Sequence, residues 1–249
     1  MCVLVRFGVV CKVACEERQV LEALTKAFAA VAVPSKAPAM AAYMKNVQRF
    51  FGVSSVPRKA AQAAVFKEQH DAIATRAGWE RCVRQLWAGP HREYRYAALD
   101  LLILGSQKRY GFLDAASLPL LQSLLSECDN WDTLDALATT GFGTVLKHIP
   151  AEEMRTILRA MNAKSDHMWT QRAAILSQLK WKSATDLSML EELIVSRMHD
   201  SDFFIRKAIG WALRELARTN PAWVRAFVQK HEDSLSGLSK REALKHIGK

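Results

Sequence analysis

Four short segments of this chain fall into register at a spacing that belongs to stacked helix pairs. They are Arg95-Tyr96-Ala97-Ala98-Leu99, Thr133-Leu134-Asp135-Ala136-Leu137, Gln171-Arg172-Ala173-Ala174-Ile175 and Arg206-Lys207-Ala208-Ile209-Gly210. The column Ala97, Asp135, Ala173, Ala208 advances by 38, 38 and 35 residues. One helix-turn-helix unit takes roughly 40 residues, and such a unit cannot bury its apolar face alone, so a period of this size implies stacking of neighbours. A small residue in a fixed column lets one helix approach the next closely. The expected fold class is therefore all-α: a right-handed α-α superhelix of about six helix pairs of the HEAT-like kind, with a concave basic face.

Local signals agree. Strand patterns are absent beyond Val3–Val10, and there is no Asn-Gly or Asp-Gly hairpin turn. Helix starts recur: Asn220 with Pro221 reads as an N-cap followed by Pro at the first helical position. Ser239 with Glu242 reads as a capping box, and Asp129, Ser165 and Ser201 each precede an apolar periodic run. Residues 21–249 are expected to form one domain. Residues 1–20 are expected to be an extension of uncertain structure, a helix or strand docked at the end of the array or the product of a misplaced start codon; Arg6 and Lys12 interrupt its apolar run, which is too short and too charged to span a membrane. No segment reaches 18 apolar residues, so no membrane partner is expected.

Asp135 is the anomaly in the column. A carboxylate on a face used elsewhere for close helix approach is costly unless it is solvated or paired. Trp131 lies four residues earlier on the same face. The same −4 column holds Trp169 and Phe204, and the +3 column of the last copy holds Trp211. For Trp169 and Phe204 the favoured reading is inter-helix core. For Trp131, Asp135 and Trp211, core and functional cleft stand level on pattern alone. Arg172 suits either a neighbouring acid or a phosphate.

Charge narrows the partner. The chain carries 35 Lys and Arg against 25 Asp and Glu, a formal charge of +10. From Arg197 onward there are eleven Lys and Arg against six Asp and Glu, so the surplus gathers toward the C-terminus. A polyanion is the expected ligand of such a surface. The five cysteines, Cys2, Cys11, Cys15, Cys82 and Cys128, include no C-x-x-C pair and read as free thiols in a reducing cytoplasm. Cys11 and Cys15 lack the further ligands a metal site needs, and neither metal nor cofactor is expected. Phosphate-binding loops, H-E-x-x-H and G-x-S-x-G are missing.

Longer stretches carry a resemblance. They are Met40–Asn46, Phe51-Gly52-Val53 with Val56-Pro57-Arg58, Arg92-Glu93-Tyr94 with Ala97-Ala98-Leu99-Asp100, Trp131–Asp135, Trp169–Leu176, Phe203–Glu215 and Leu238–Ala243. Over roughly residues 20–249 the chain resembles the bacterial DNA alkylation repair glycosylases of the AlkD type. That resemblance implies a catalytic carboxylate at Asp135, cleft tryptophans at Trp131 and Trp211, and DNA contacts at Tyr43, Lys45, Arg172, Lys207 and Arg214. Asn130 stands where the family often has a second Trp. The resemblance implies a monomeric, monofunctional hydrolase that removes N3- or N7-alkylated purines from double-stranded DNA without a base pocket. The alternative is a non-catalytic scaffold binding nucleic acid by charge. A weaker one is a scaffold for an acidic protein.

Overall fold

The computed structural model describes residues 19–108, 110–164 and 166–247. Val3–Val10, the extension before residue 19, Cys2, Cys11, Cys15 and Ser165 lie outside the described residues. The fold is all-α. Among the described residues the only β-type pairing is an isolated bridge between Arg49 and His91, and no helix is long and apolar enough to cross a membrane. The chain divides into two compact units, one ending at Leu113 and the other beginning at Asp114.

The first unit contains a helix over residues 19–31, followed by Ala37–Tyr43, Ser55–Glu68, His70–Ile73, Arg76–Trp87 and Arg92–Gly105. Phe28, Trp79, Trp87 and Leu101 are among its fully enclosed side chains. Two of the resemblance stretches meet here. The Glu93 side chain, completely buried, accepts hydrogen bonds from the backbone N–H groups of Phe51, Gly52 and Val53, each at 3.1 Å. A buried carboxylate is tolerated when donors satisfy it in this way. Gly52 adopts φ 89, and a Cβ there would stand 2.4 Å from the Val33 carbonyl oxygen, so only glycine fits the turn. Glu93 thus fixes the segment that follows Tyr43 and Lys45.

The second unit has two alternating layers. Helices Trp131–Ala136, Met168–Leu176, Phe203–Leu216 and Gly237–Ala243 pack successively on one another. Each is preceded in sequence by a helix of the other layer, in turn Leu118–Ser126, Ala151–Ala163, Leu187–Val195 and Pro221–Lys230. Ala151–Ala163 buries Met154, Leu158 and Met161 at spacings of four and three, with Glu152 and Glu153 in its first turn facing the positive end of the helix dipole. Asn220 caps with Pro221 at the first helical position. The caps of the repeat helices are Asn130, His167 and Asp202, one or two residues past the expected starts, within the scatter of such boundaries.

The capping box expected at Ser239 and Glu242 is not formed. Ser236 is the cap, its hydroxyl accepting from the Ser239 N–H at 3.0 Å, and Glu242 turns to the neighbouring helix instead. The helix therefore begins at Gly237, about one turn earlier than the box requires.

The second repeat helix does not continue regularly. After Ala136 it widens into a π-helical segment, Leu137–Phe142, before returning to α geometry at Gly143–Leu146. The Thr139 hydroxyl donates to the Asp135 carbonyl at 2.7 Å. Such widened turns gather at functional positions in proteins, and this one begins two residues after Asp135. Gly143 anchors its far end. A Cβ at 143 would stand 2.1 Å from the Ser177 carbonyl oxygen, and the Gly143 carbonyl accepts from Trp181 Nε1 at 2.9 Å. Gly143→Ala is therefore expected to cost about 1–3 kcal/mol through backbone displacement. Urea unfolding of the two proteins measures it.

Ion pairs clamp the layer that contains Ala151–Ala163. Arg155 meets Asp186 at 2.8 Å, Arg159 meets Glu192 at 2.7 Å, and Lys230 meets Glu191 at 2.7 Å. Burial pushes Asp186 up, but the Arg155 hydrogen bond and the Met189 N–H together hold it below its ordinary value of 3.8. Lys230 and Arg159 lower Glu191 and Glu192 from 4.5. Because the folded values are depressed, this stabilisation is complete above the unfolded carboxylate range and is lost as pH falls through the folded values. The melting temperature is expected to be insensitive to these groups between pH 6 and 8 and to fall below about pH 4. Calorimetry at stepped pH tests it.

Candidate active site

Asn130 adopts an extended backbone, and its side-chain oxygen accepts from the Trp131 N–H at 2.9 Å. The helix therefore begins at Trp131, and Asp135 follows about one turn later on the same face. In the repeat column Ala97, Ala173 and Ala208 are fully buried. Asp135 keeps 15 % of its side chain exposed, so it is neither sealed in the core nor freely solvated. Trp131 is half-buried beside it.

Arg172 rises from the next repeat helix, which His167 caps through its ring nitrogen. The guanidinium grips Asp135 in a fork. Nε donates to Oδ1 and Nη2 donates to Oδ2, both at 2.8 Å. Nη1 donates to the Phe204 carbonyl at 2.5 Å. Only 4 % of the Arg172 side chain is exposed. Of the two roles open to it, the pairing with a neighbouring acid is the one formed. Paired in-plane bonds fix the carboxylate in rotation as well as position. Arg172 uses two of the roughly four acceptor sites of the carboxylate, leaving lone pairs for another partner.

Aromatic rings border the pair. Trp169 and Phe204 lie 5.0 Å apart between adjacent helices, with Phe203 another 5.4 Å from Phe204. Trp169 and Phe204 thus join neighbouring helices as expected, yet both are half-buried and not enclosed in the core. Phe203 is 53 % exposed. The Arg172 guanidinium stands 6.0 Å from the Phe204 ring.

Phe204, Lys207, Trp211 and Arg214 share one face of the Phe203–Leu216 helix by their spacing of three, four and three. Trp211 is half-buried. Lys207 Nζ donates to Glu242 Oε1 at 2.5 Å, and Arg214 Nη1 donates to Glu242 Oε2. Glu242 was not singled out in the sequence as a site residue. Its place in the Leu238–Ala243 stretch was the available signal, and the capping motif concealed it. Tyr43 and Lys45 belong to the first unit. Tyr43 ends the Ala37–Tyr43 helix and is 69 % exposed. Lys45 is also exposed, and Lys45 and Asn46 both take left-handed backbone angles.

No group of three His, Cys, Asp or Glu side chains among the described residues could hold a metal ion. Cys82 and Cys128 are buried, and the Cys128 thiol donates to the Leu124 carbonyl at 3.4 Å.

The family of DNA alkylation repair enzymes matches residues 24–247. The chain belongs to that family. Membership assigns it to alkylation repair and implies DNA as its partner. A solved structure described as a predicted DNA alkylation repair enzyme from Enterococcus faecalis is similar over 88 % of this chain and 97 % of its own, at 29 % identity and a TM-score of 0.69. The crystal structure of a protein from Streptococcus mutans UA159 is similar over 76 % of this chain and 99 % of its own, at 18 % identity and a TM-score of 0.54. That second likeness concerns the fold. No curated protein matches the chain significantly. Two of the stretches that carry the resemblance acquire a physical meaning here. Trp131–Asp135 and Trp169–Leu176 supply the two halves of one ion pair.

Proposed function

We propose that this alkylation repair protein is a monofunctional DNA glycosylase that hydrolyses the N-glycosidic bond of N3- or N7-alkylated purines in duplex DNA. The observation that carries the reading is Asp135: a partly exposed carboxylate, held rigid by a buried arginine in a chain with ten surplus positive charges. A carboxylate fixed beside Trp131 suits a sugar that turns cationic better than it suits a phosphate, which it would repel.

The chemistry needs little more. An alkylated purine is cationic and departs as a neutral base, its ring taking both electrons of the C1′–N bond. No acid is required to protonate it. The deoxyribose left behind becomes oxocarbenium-like, and a carboxylate set against it stabilises the developing charge. Water then bonds to C1′ and gives up a proton, to Asp135 or to solvent through it. Trp131 and Trp211 would face the sugar with electron-rich surfaces that favour a cation. Lys207 and Arg214 in the second unit would contact the DNA backbone, as Tyr43 and Lys45 would in the first, making affinity fall with salt. Arg172 would act by orienting Asp135. Because the alkylated base itself need not be enclosed, bulky adducts are expected to be tolerated, and the protein is expected to act as a monomer in the cytoplasm.

The decisive experiment incubates the protein with a duplex containing one 7-methylguanine and measures the freed base by chromatography. Release with an intact abasic strand supports the reading. Binding without release replaces it with the scaffold alternative, and strand cleavage without added alkali removes the monofunctional assignment.

A further inference from the structure

Glu242 is fixed before it meets any partner. The Gly237–Ala243 helix lies against Phe203–Leu216 at backbone distance, because Gly210 has no side chain. A Cβ at Gly210 would come within 2.5 Å of Glu242 Cβ and 3.1 Å of the Ser239 carbonyl oxygen. The Ser239 hydroxyl also donates to the Arg206 carbonyl at 2.9 Å. Only 14 % of the Glu242 side chain is exposed. From this anchored position its two oxygens reach Lys207 on one side and Arg214 on the other. Those cations lie four residues before and three after Trp211, on its helical face.

We propose that Glu242 is a built-in counter-ion that positions Lys207 and Arg214 beside Trp211 and limits affinity for undamaged DNA. The inference rests on the DNA-facing role proposed for those two cations. Without the carboxylate, a +2 patch on flexible stems would attract any phosphate. With it, the local charge is +1 and both side chains are held in one geometry. The carboxylate must be ionised to act so, and the Lys207 hydrogen bond, opposed by partial burial and aided by the Arg214 and Lys245 charges, holds it below the usual range.

The test is fluorescence anisotropy of the full chain with a labelled undamaged duplex across a salt series, after circular dichroism has compared melting temperatures. Glu242→Gln keeps the shape and removes the charge. It is expected to bind about three- to tenfold more tightly at low salt, with a salt slope steeper by about one, the increment for one further phosphate neutralised. Glu242→Asp keeps the charge and is expected to bind within about twofold of wild type with an unchanged slope. Equal or weaker binding by Glu242→Gln overturns the proposal, as does a steeper slope for Glu242→Asp. Should Glu242→Gln unfold through repulsion of the two cations, Lys207→Met and the Lys207→Met/Glu242→Gln pair decide. The pair restores the wild-type charge and must restore its slope. A slope equal to that of Lys207→Met alone overturns the proposal. The DNA is undamaged, so a wild type that fails to excise 7-methylguanine removes the glycosylase reading and leaves this result readable.

Discussion

Asp135→Asn is expected to release 7-methylguanine from duplex DNA about a thousandfold more slowly than wild type, while its affinity for the same duplex changes by less than about tenfold. The size follows from the charge removed. Two unit charges about 4 Å apart in a medium of effective dielectric near 20 attract by about 4 kcal/mol. Losing that stabilisation in the transition state alone corresponds to about three orders of magnitude in rate. Ground-state affinity changes less, because DNA is held by several cations and the sugar is not yet charged. Asparagine keeps one oxygen to accept from Arg172 and loses the other, so the fold is strained by the same change. Single-turnover kinetics on protein shown to be folded separates the two effects. A rate within threefold of wild type would end the assignment of Asp135 as the catalytic carboxylate.

Much of this site was legible in the sequence because repeats make exceptions visible. Ala97, Ala173 and Ala208 are buried to completion, as a column of close approach requires, and the one acid among them is the one that stays partly open. The Asn220–Pro221 cap was equally plain, since both residue types act locally. The Arg172–Asp135 fork was not, because its partners are 37 residues apart and nothing local distinguishes an arginine aimed at a carboxylate from one aimed at a phosphate. The π-helical widening after Ala136 also leaves no composition signal. It is fixed by tertiary fit, by Gly143 pressed on Ser177. Glu242 shows the opposite hazard. A serine followed three residues later by glutamate is a sound local pattern, yet two cations across the helix interface outbid the backbone N–H it would have capped.

Arg172→Ala is expected to destabilise the protein by about 3–5 kcal/mol, a loss large enough to be a major part of the stability of a domain. The reason lies less in the attraction lost than in what is stranded. Asp135 would be left at 15 % exposure with its fork partner gone, and the Phe204 carbonyl would lose the Nη1 donor at 2.5 Å. An uncompensated charge is the expensive outcome, whereas removing both partners is mild. The double variant Arg172→Ala/Asp135→Asn should therefore recover at least 1 kcal/mol relative to Arg172→Ala, a coupling readable by urea titration. Arg172→Lys should not restore the wild type, because an ammonium cannot place two parallel bonds on the carboxylate and a third on Phe204 from one rigid plane. If Arg172→Ala unfolds at the wild-type denaturant midpoint, the fork is not structural, and Arg172 would have to be counted again among the side chains available to phosphate.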